Sequence, residues 1–533
     1  MDANFILKKA KNQKFRKKQN DNRSRMGIDN LPDAILEHIL SYLSTEDAIR
    51  TSILSKRWQY LWTSIPKLHL DEGEPEERML KPDERMLFMD FVERALALRD
   101  SSNIKEFSLS CDVQCDTSRI NAWIIAVVKH KVQVLDLYLR NFQEPFALPP
   151  SLFTCESLKV LTLKMFHHLK LPSNISFSHL KILTLEKAIF SDDNSTQRLF
   201  LGCPVLEELN IIDCIWKNVK AVLIFFPMLR KLFISDEYLF IEKNDENEDK
   251  DDLNADADDQ NDSNGCQVVI FGTSLQSFSF SGELINEYCL YNSSSIVDAS
   301  IKVYKRDEED CYLDAHRVFK ILSGLKNVEK LTLFVDTVEV LNYAEELFAH
   351  LPVFSNLTNL TLESMLPIEF SCGALLMILR NAPCLDYLDL GMGACLPTYF
   401  GNCDSILDPM PSCFVTHLKT IETFGFRGHE DEIQAVKILL NIASVLMSFR
   451  INFDSFAFES SEGLKKREEI CEQILSFPRG SISCEILFWR DANQVAHALA
   501  KISLTLELPF CCNKDNLPLS VKGACIRDLF PVF

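Results

Sequence analysis

One spacing, apolar-x-x-apolar-x-apolar, recurs from about residue 100 onward and constrains this chain more than any other feature. It is read at Ile104-Phe107-Leu109, Val132-Leu135-Leu137, Leu158-Leu161-Leu163, Leu180-Leu183-Leu185, Leu206-Leu209-Ile211 and Leu229-Leu232-Ile234. It returns at Leu275-Phe278-Phe280, Val328-Leu331-Leu333, Leu357-Leu360-Leu362 and Leu385-Leu388-Leu390. The early starts lie 28, 26, 22, 26 and 23 residues apart. The last two apolar positions read as a short strand whose alternate side chains point into a stack and out of it. No single repeat can bury its own apolar face, so neighbours must stack into one continuous core.

The period falls within the leucine-rich-repeat range of about 20–29 residues. The expected fold class is α/β, with a solenoid over 95–410 made of a curved parallel sheet with helices and turns on its convex side. The interval from Leu229 to Leu275 is wider because an acidic run interrupts it, and Ile296-Ala299-Ile301 marks a degenerate repeat before Val328. Outward positions such as Lys159, Thr162, Lys181, Thr184, Glu208, Thr332, Thr358 and Asp389 are mixed in character and point to no ligand class.

Charge is distributed unevenly. Residues 1–25 carry nine Lys/Arg against Asp2 and Asp21, a local +7. Residues 242–262 carry eleven acids against Lys243 and Lys250, a local −9. Removing both segments from the total of −20 leaves −18 on the body, which argues against a specific nucleic-acid surface. The basic tail reads as disordered, and its KKAKNQKFRKK run suits either a solvated tail or a nuclear import signal. The acidic run reads as a solvated insertion over 242–265. Its alternating Asp256, Asp258 and Asp259 lack the Gly and terminal Glu of a calcium loop.

No apolar run is long enough to span a membrane, and no secretory signal is recognised at the N-terminus. The 18 cysteines are scattered without a CxxC pair. Reduced thiols in the nucleus and/or cytoplasm fit that pattern, and no disulfide scaffold, metal or cofactor is expected.

Residues Leu31 to Trp62, LPDAILEHILSYLSTEDAIRTSILSKRWQYLW, have a different character. Leu31, Ile35 and Ile39 recur at i, i+4, with Leu36, Leu40 and Leu43 as an adjoining stripe. Pro32 opens the first helix, Ser44-Thr45-Glu46-Asp47 offers a capping-box-like start for a second, and Leu54-Ser55-Lys56-Arg57-Trp58 opens a third. A segment of roughly 35 residues cannot build a self-sufficient core, so so much apolar surface implies burial shared with a partner.

Asp29 to Trp62 resembles the plant F-box throughout, including its ILSKRWQYLW ending. That resemblance implies a domain over 26–70 that docks on a Skp-type adaptor and, through it, on a cullin ubiquitin ligase. The adaptor-binding residues it implies are Leu31, Pro32, Ile35, Leu36, Ile39, Leu40, Leu54, Ser55, Trp58 and Trp62, divided between the adaptor face and the domain's own interior. Residues 411–488 resemble the FBD domain through Leu418-Lys419, Gly425-Phe426-Arg427-Gly428, Glu432, Ala443, Phe477-Pro478-Arg479 and Cys484-Glu485-Ile486. This implies an α+β cap closing the solenoid, with a helix placing Ile433, Val436, Leu439 and Leu440 on one face. Residues 489–533 open with WRDANQVAHALAKISL, which resembles the end of a retroelement-type RNase H domain. His497 stands where that family carries an aspartate, and so short a segment cannot supply the remaining carboxylates of a two-metal site, so a silent remnant is expected.

Other constellations carry little. His167-His168 reads as an exposed pair, and His429 with Glu430 and Asp431 as the charged start of a helix. No GxSxG, P-loop, GxGxxG or HExxH is present. The implied function is that of a non-catalytic receptor subunit of a Skp–cullin–F-box ligase whose repeats bind a target protein. The alternatives are a leucine-rich-repeat scaffold not engaged in ubiquitination, and an enzyme acting through the RNase H-like tail.

Overall fold

The computed structural model describes residues 28, 31–73, 82–99, 104–114, 116–142, 145–237, 265–306, 308–364, 368–369, 372–395, 409–454 and 456–489. The basic tail, most of the acidic insertion and the RNase H-like segment after Trp489 lie outside the described residues. The chain divides into two compact units, Met1–Val219 and Lys220–Phe533.

In the first unit, strands Lys67–Asp71, Glu106–Gln114, Val134–Phe142, Val160–His168, Ile182–Phe190 and Glu208–Ile212 pair in sequence order, all parallel. The first two apolar positions of each repeat bracket the turn into the strand. There, backbone N–H groups form a run of 2.8–3.0 Å rungs: Gln133 to Lys105, Lys159 to Gln133, Lys181 to Lys159 and Glu207 to Lys181. All the motif residues of these repeats are at most 2% exposed. Such a rung-by-rung core makes each leucine a neighbour of the next.

The ladder starts earlier than the spacing suggested. Lys67–Asp71 pairs with Glu106–Gln114 in register Lys67↔Glu106, burying Leu68 and Leu70. Helices Pro82–Ala97 and Thr117–Lys129 fill the returns, the second burying Ile120, Trp123, Ile124 and Val127.

In the second unit the parallel order runs Lys231–Asp236, Ser277–Gly282, Asp298–Val303, Lys330–Phe334, Asn359–Glu363 and Tyr387–Asp389. The degenerate repeat is therefore a full rung, with Ile296, Ala299 and Ile301 buried. The ladder does not stop there. Thr420–Phe426, Ser448–Phe453 and Glu485–Trp489 add three more parallel strands, with entry rungs Lys419 to Asp386, Met447 to Lys419 and Glu485 to Met447. The C-terminal block is thus built as further repeats carrying long helices, Glu430–Ile442 and Ser461–Leu475. A separate three-stranded parallel sheet, Ala221–Phe225, Gln267–Phe271 and Glu287–Tyr291, was not foreseen.

The conformation of the Gly425–Gly428 turn explains that motif. Gly425 and Gly428 have φ of +61° and +69°, where side chains are strained. A Cβ on Gly425 would lie 2.3 Å from Met392 Cε, and one on Gly428 2.3 Å from Ile470 Cδ1. Between them, Arg427 Nε donates to Asp454 Oδ2 at 2.9 Å. Glu432 Oε2 accepts the backbone N–H groups of Arg427 (3.1 Å) and His429 (2.9 Å), which seats His429 at the N-cap.

Candidate functional site

Helix Asp33–Leu40 begins behind Pro32, whose carbonyl accepts the N–H of Ile35 at 2.9 Å, and carries Asp33 in its first turn. Helix Thr45–Arg50 is capped by Ser44, whose hydroxyl accepts the Asp47 N–H at 3.1 Å. Arg50 then pairs with Asp47 (2.9 Å) and Glu46 (3.1 Å). The third helical element takes 3-10 form, as Thr51–Ile53 and Trp58–Ser64. Thr51 Oγ1 bonds back to the Ala48 carbonyl at 2.6 Å, and the β-branched, serine-rich TSILS run favours tight turns over a longer α-helix.

The sequence-predicted residues separate into two sets. Leu36, Leu40, Trp58 and Trp62 are buried together with Ala48, Leu61, Ile65 and Ala95. These four are core residues of the chain itself and fall on the interior side of the division that the resemblance left open. Leu31 and Ile39 pack at the edge of the same cluster, and Ser55 is half-buried. Pro32, Ile35 (46% exposed) and Leu54 (63%) face outward. Beside Leu54 stands Ile53, 88% exposed. The predicted set omitted Ile53; the available signal was an isoleucine in a run with no charged residue.

Arg57 joins the two exposed groups. Its Nε and Nη2 donate to Asp33 Oδ1 at 3.0 and 2.6 Å, and Nη2 also reaches the Leu31 carbonyl at 2.5 Å. Arg57 thereby ties the stretch that follows Leu54 to the start of the first helix. The outcome is an outward apolar surface on a packed base, the composition of a protein docking site rather than of a catalytic one. Ala95, from helix Pro82–Ala97, completes the core, so part of the shared burial expected of a partner comes from the chain itself.

Elsewhere, His167 is half-buried and stacks on Phe142, with ring centroids 4.5 Å apart. It receives the Phe146 N–H at 3.3 Å, burial lowers its pKa, and His168 meets Ser191 Oγ at 2.9 Å. Both are structural rather than exposed. Asp389 is buried and so offers nothing to an outward face. Among the described residues no His/Cys/Asp/Glu group could hold a metal ion, and no helix is long and apolar enough to cross a membrane.

Comparison with known proteins agrees with this architecture. The F-box domain profile matches residues 28–70, the FBD profile residues 408–451, and a profile described as "FBD-associated F-box protein At5g56370, LRR repeats" residues 120–246. F-box protein At3g59000 of Arabidopsis thaliana is 30% identical over 528 residues, 92% of this chain and 98% of that protein. F-box/LRR-repeat protein At3g59210 of the same plant is 28% identical over 92% of this chain and 99% of its own length. F-box/LRR-repeat protein At3g59190 is 31% identical over 70% and 94%. With an F-box, parallel leucine-rich strands in each of its two units and an FBD block carrying the last strands of the second, this chain belongs to the plant F-box/LRR-repeat/FBD family.

Proposed function

We propose that the chain is the target-recognition subunit of a Skp–cullin–F-box ubiquitin ligase. The observation that carries this reading is the outward Pro32, Ile35, Ile53 and Leu54 surface, pinned by Arg57 over a closed core. A Skp-type adaptor covers that surface, and the leucine-rich ladder presents its outward strand face to a target protein. The chain supplies no catalytic side chain; it raises the effective concentration of target lysines near a ubiquitin-loaded enzyme. The site of action is the nucleus and/or cytoplasm, in keeping with the free thiols of the described cysteines.

The test is co-purification of the full chain with a recombinant plant Skp-type adaptor. Capture by the intact chain and its loss on Ile35→Asp plus Leu54→Asp, with an unchanged melting curve, supports the reading. Absence of capture by the intact chain overturns it.

A further inference from the structure

A cleft lies between the F-box helices and the first three strands, apart from the outward Pro32, Ile35, Ile53 and Leu54 side chains. It measures about 350 Å³, within the range of small binding pockets. Leu40, Ala48, Trp62, Ile65, Leu68 and Phe107 give it an apolar floor. Its polar side is set by strand register, which aligns Lys67, Glu106 and Val134 in one row and His69, Ser108 and Asp136 in the next.

These polar groups are not equivalent. Lys67 Nζ neutralises Glu106 at 2.7 Å, and the backbone N–H of His69 donates to Thr45 Oγ1 at 2.7 Å. Asp136 has only the Ser108 hydroxyl, 3.3 Å from Oδ2, and among the described residues no Lys or Arg forms an ion pair with it. Burial, with a smaller push from Glu186, raises its carboxyl from the usual range against the weaker opposing pull of Ser108, His69 and Lys164, and Lys164 is itself paired with Glu186 at 2.7 Å. A half-buried carboxylate with one neutral donor is stabilised by an arriving cation.

The cleft also opens onto a track. The Lys67–Glu106 row continues as Val134, Val160 and Ile182, three half-buried outward side chains on successive strands. An apolar pit, a lone carboxylate and an apolar strip leading away in line call for an elongated occupant.

Building on the receptor reading above, we infer that this cleft is the target-reading subsite: it binds an extended peptide segment with a bulky apolar side chain next to a Lys or Arg. The apolar side chain enters the floor beside Trp62 and Phe107, the cation meets Asp136, and the flanking chain runs over Val134, Val160 and Ile182. Asp136 disfavours an acidic segment.

The test is a decapeptide array with a central Leu-Lys, Leu-Gln, Leu-Glu or Ala-Lys pair in randomised flanks, probed with the full-length chain. Enrichment of Leu-Lys members is expected. Binding should fall about tenfold with Gln for Lys, and equally with Asp136→Asn, the scale of one charge-assisted hydrogen bond. Ser108→Trp, which fills the cleft from its outward side, should abolish binding, and Asp136→Lys should transfer preference to the Leu-Glu members. Equal binding of Lys and Glu members, no enriched members, or indifference to Asp136→Asn overturns the inference. Adaptor capture measured on the same proteins separates the two failures: it is retained by Asp136→Asn if only the cleft is wrong, and missing from the unmodified chain if the receptor reading is wrong.

Discussion

Arg57 and Asp33, 24 positions apart, are joined by two hydrogen bonds from one guanidinium to a single carboxylate oxygen, at 3.0 and 2.6 Å. The pair closes the F-box surface that the adaptor would cover, yet both side chains remain well exposed to water. Its contribution to stability is therefore small. A double-mutant cycle on Arg57→Ala and Asp33→Ala should give a coupling below about 1 kcal/mol in urea unfolding. The same substitutions should weaken adaptor capture by more than their stability cost predicts, because the stretch that carries Ile53 and Leu54 is no longer tied by Arg57 to the start of the first helix.

The buried and outward residues of the F-box should part company experimentally. Leu36→Ala opens a cavity in a fully covered cluster and should cost about 2–5 kcal/mol of stability. Ile35→Asp, one position earlier on an exposed turn, should leave the urea midpoint nearly unchanged and remove adaptor binding. Equal stability losses for both would contradict the assignment of faces.

Glu432 carries a pH signature. Its Oε2 holds two backbone N–H groups, while Oε1 is buried without a partner, as is the nearby Thr423 Oγ1. Burial raises the carboxyl above its usual 4.5, outweighing the donors from His429 and Arg427. A raised folded-state pKa means that the fold prefers the protonated group. The associated stability is complete below 4.5 and is lost as pH climbs through the folded value. Glu432→Gln keeps the acceptor for both N–H groups and lets an amide donor face Thr423. The variant should flatten the fall in urea midpoint as pH rises above 4.5, with the gain at the alkaline end. A steeper fall in the variant would reject this account.

Burial pushes the thiols of Cys111, Cys203 and Cys413 up to about 12. Thiolate is the reactive form, so these three should resist iodoacetamide in the native chain at mildly alkaline pH and react fully in urea. Mass mapping of the alkylated sites checks this; native-state labelling of Cys203 would be the clearest failure.

Gly428→Ala places a Cβ against Ile470 at a positive φ and should destabilise the chain by about 1–2 kcal/mol. Gly480→Ala provides a control at ordinary φ, where the obstacle is the Asn441 carbonyl, 2.3 Å from the added Cβ. If both lose stability to a similar extent, crowding rather than φ strain is the common cause.

Most of the ladder was legible because burial acts on a fixed period: Leu180, Leu183 and Leu185 differ from their neighbours only by facing inward. The same reading stopped too soon at Cys413. Leu446, Phe449 and Ile451 repeat the spacing and are fully buried, but the long amphipathic helix before them gave a stronger 3.6-residue signal that masked it. Lys67–Asp71 was lost for a related reason, since two leucines after a dense helical segment read as its tail. The division of the F-box residues was not legible. Leu36 and Ile35 are adjacent, equally apolar and opposite in fate, and what decides which is covered is a cluster assembled from Ala48, Trp58, Leu61, Trp62, Ile65 and, almost 60 residues later, Ala95. Asp136 carried no sequence signal, because its isolation depends on Lys67 being engaged by Glu106 on the strand between them.

Ala95 has a mechanical consequence. It lies in the same cluster as Trp58 and Trp62, while Lys67–Asp71 leaves that cluster directly for the first rung of the sheet. No flexible tether separates the docking surface from the opening strands. On the proposed receptor reading, a tilt imposed at the adaptor is carried through the packed cluster and Lys67–Asp71 into the first rung. On that same reading, the reach from a docked adaptor to a target held on the first unit is set by the number of rungs between that target and Lys67, and it changes in steps of one strand.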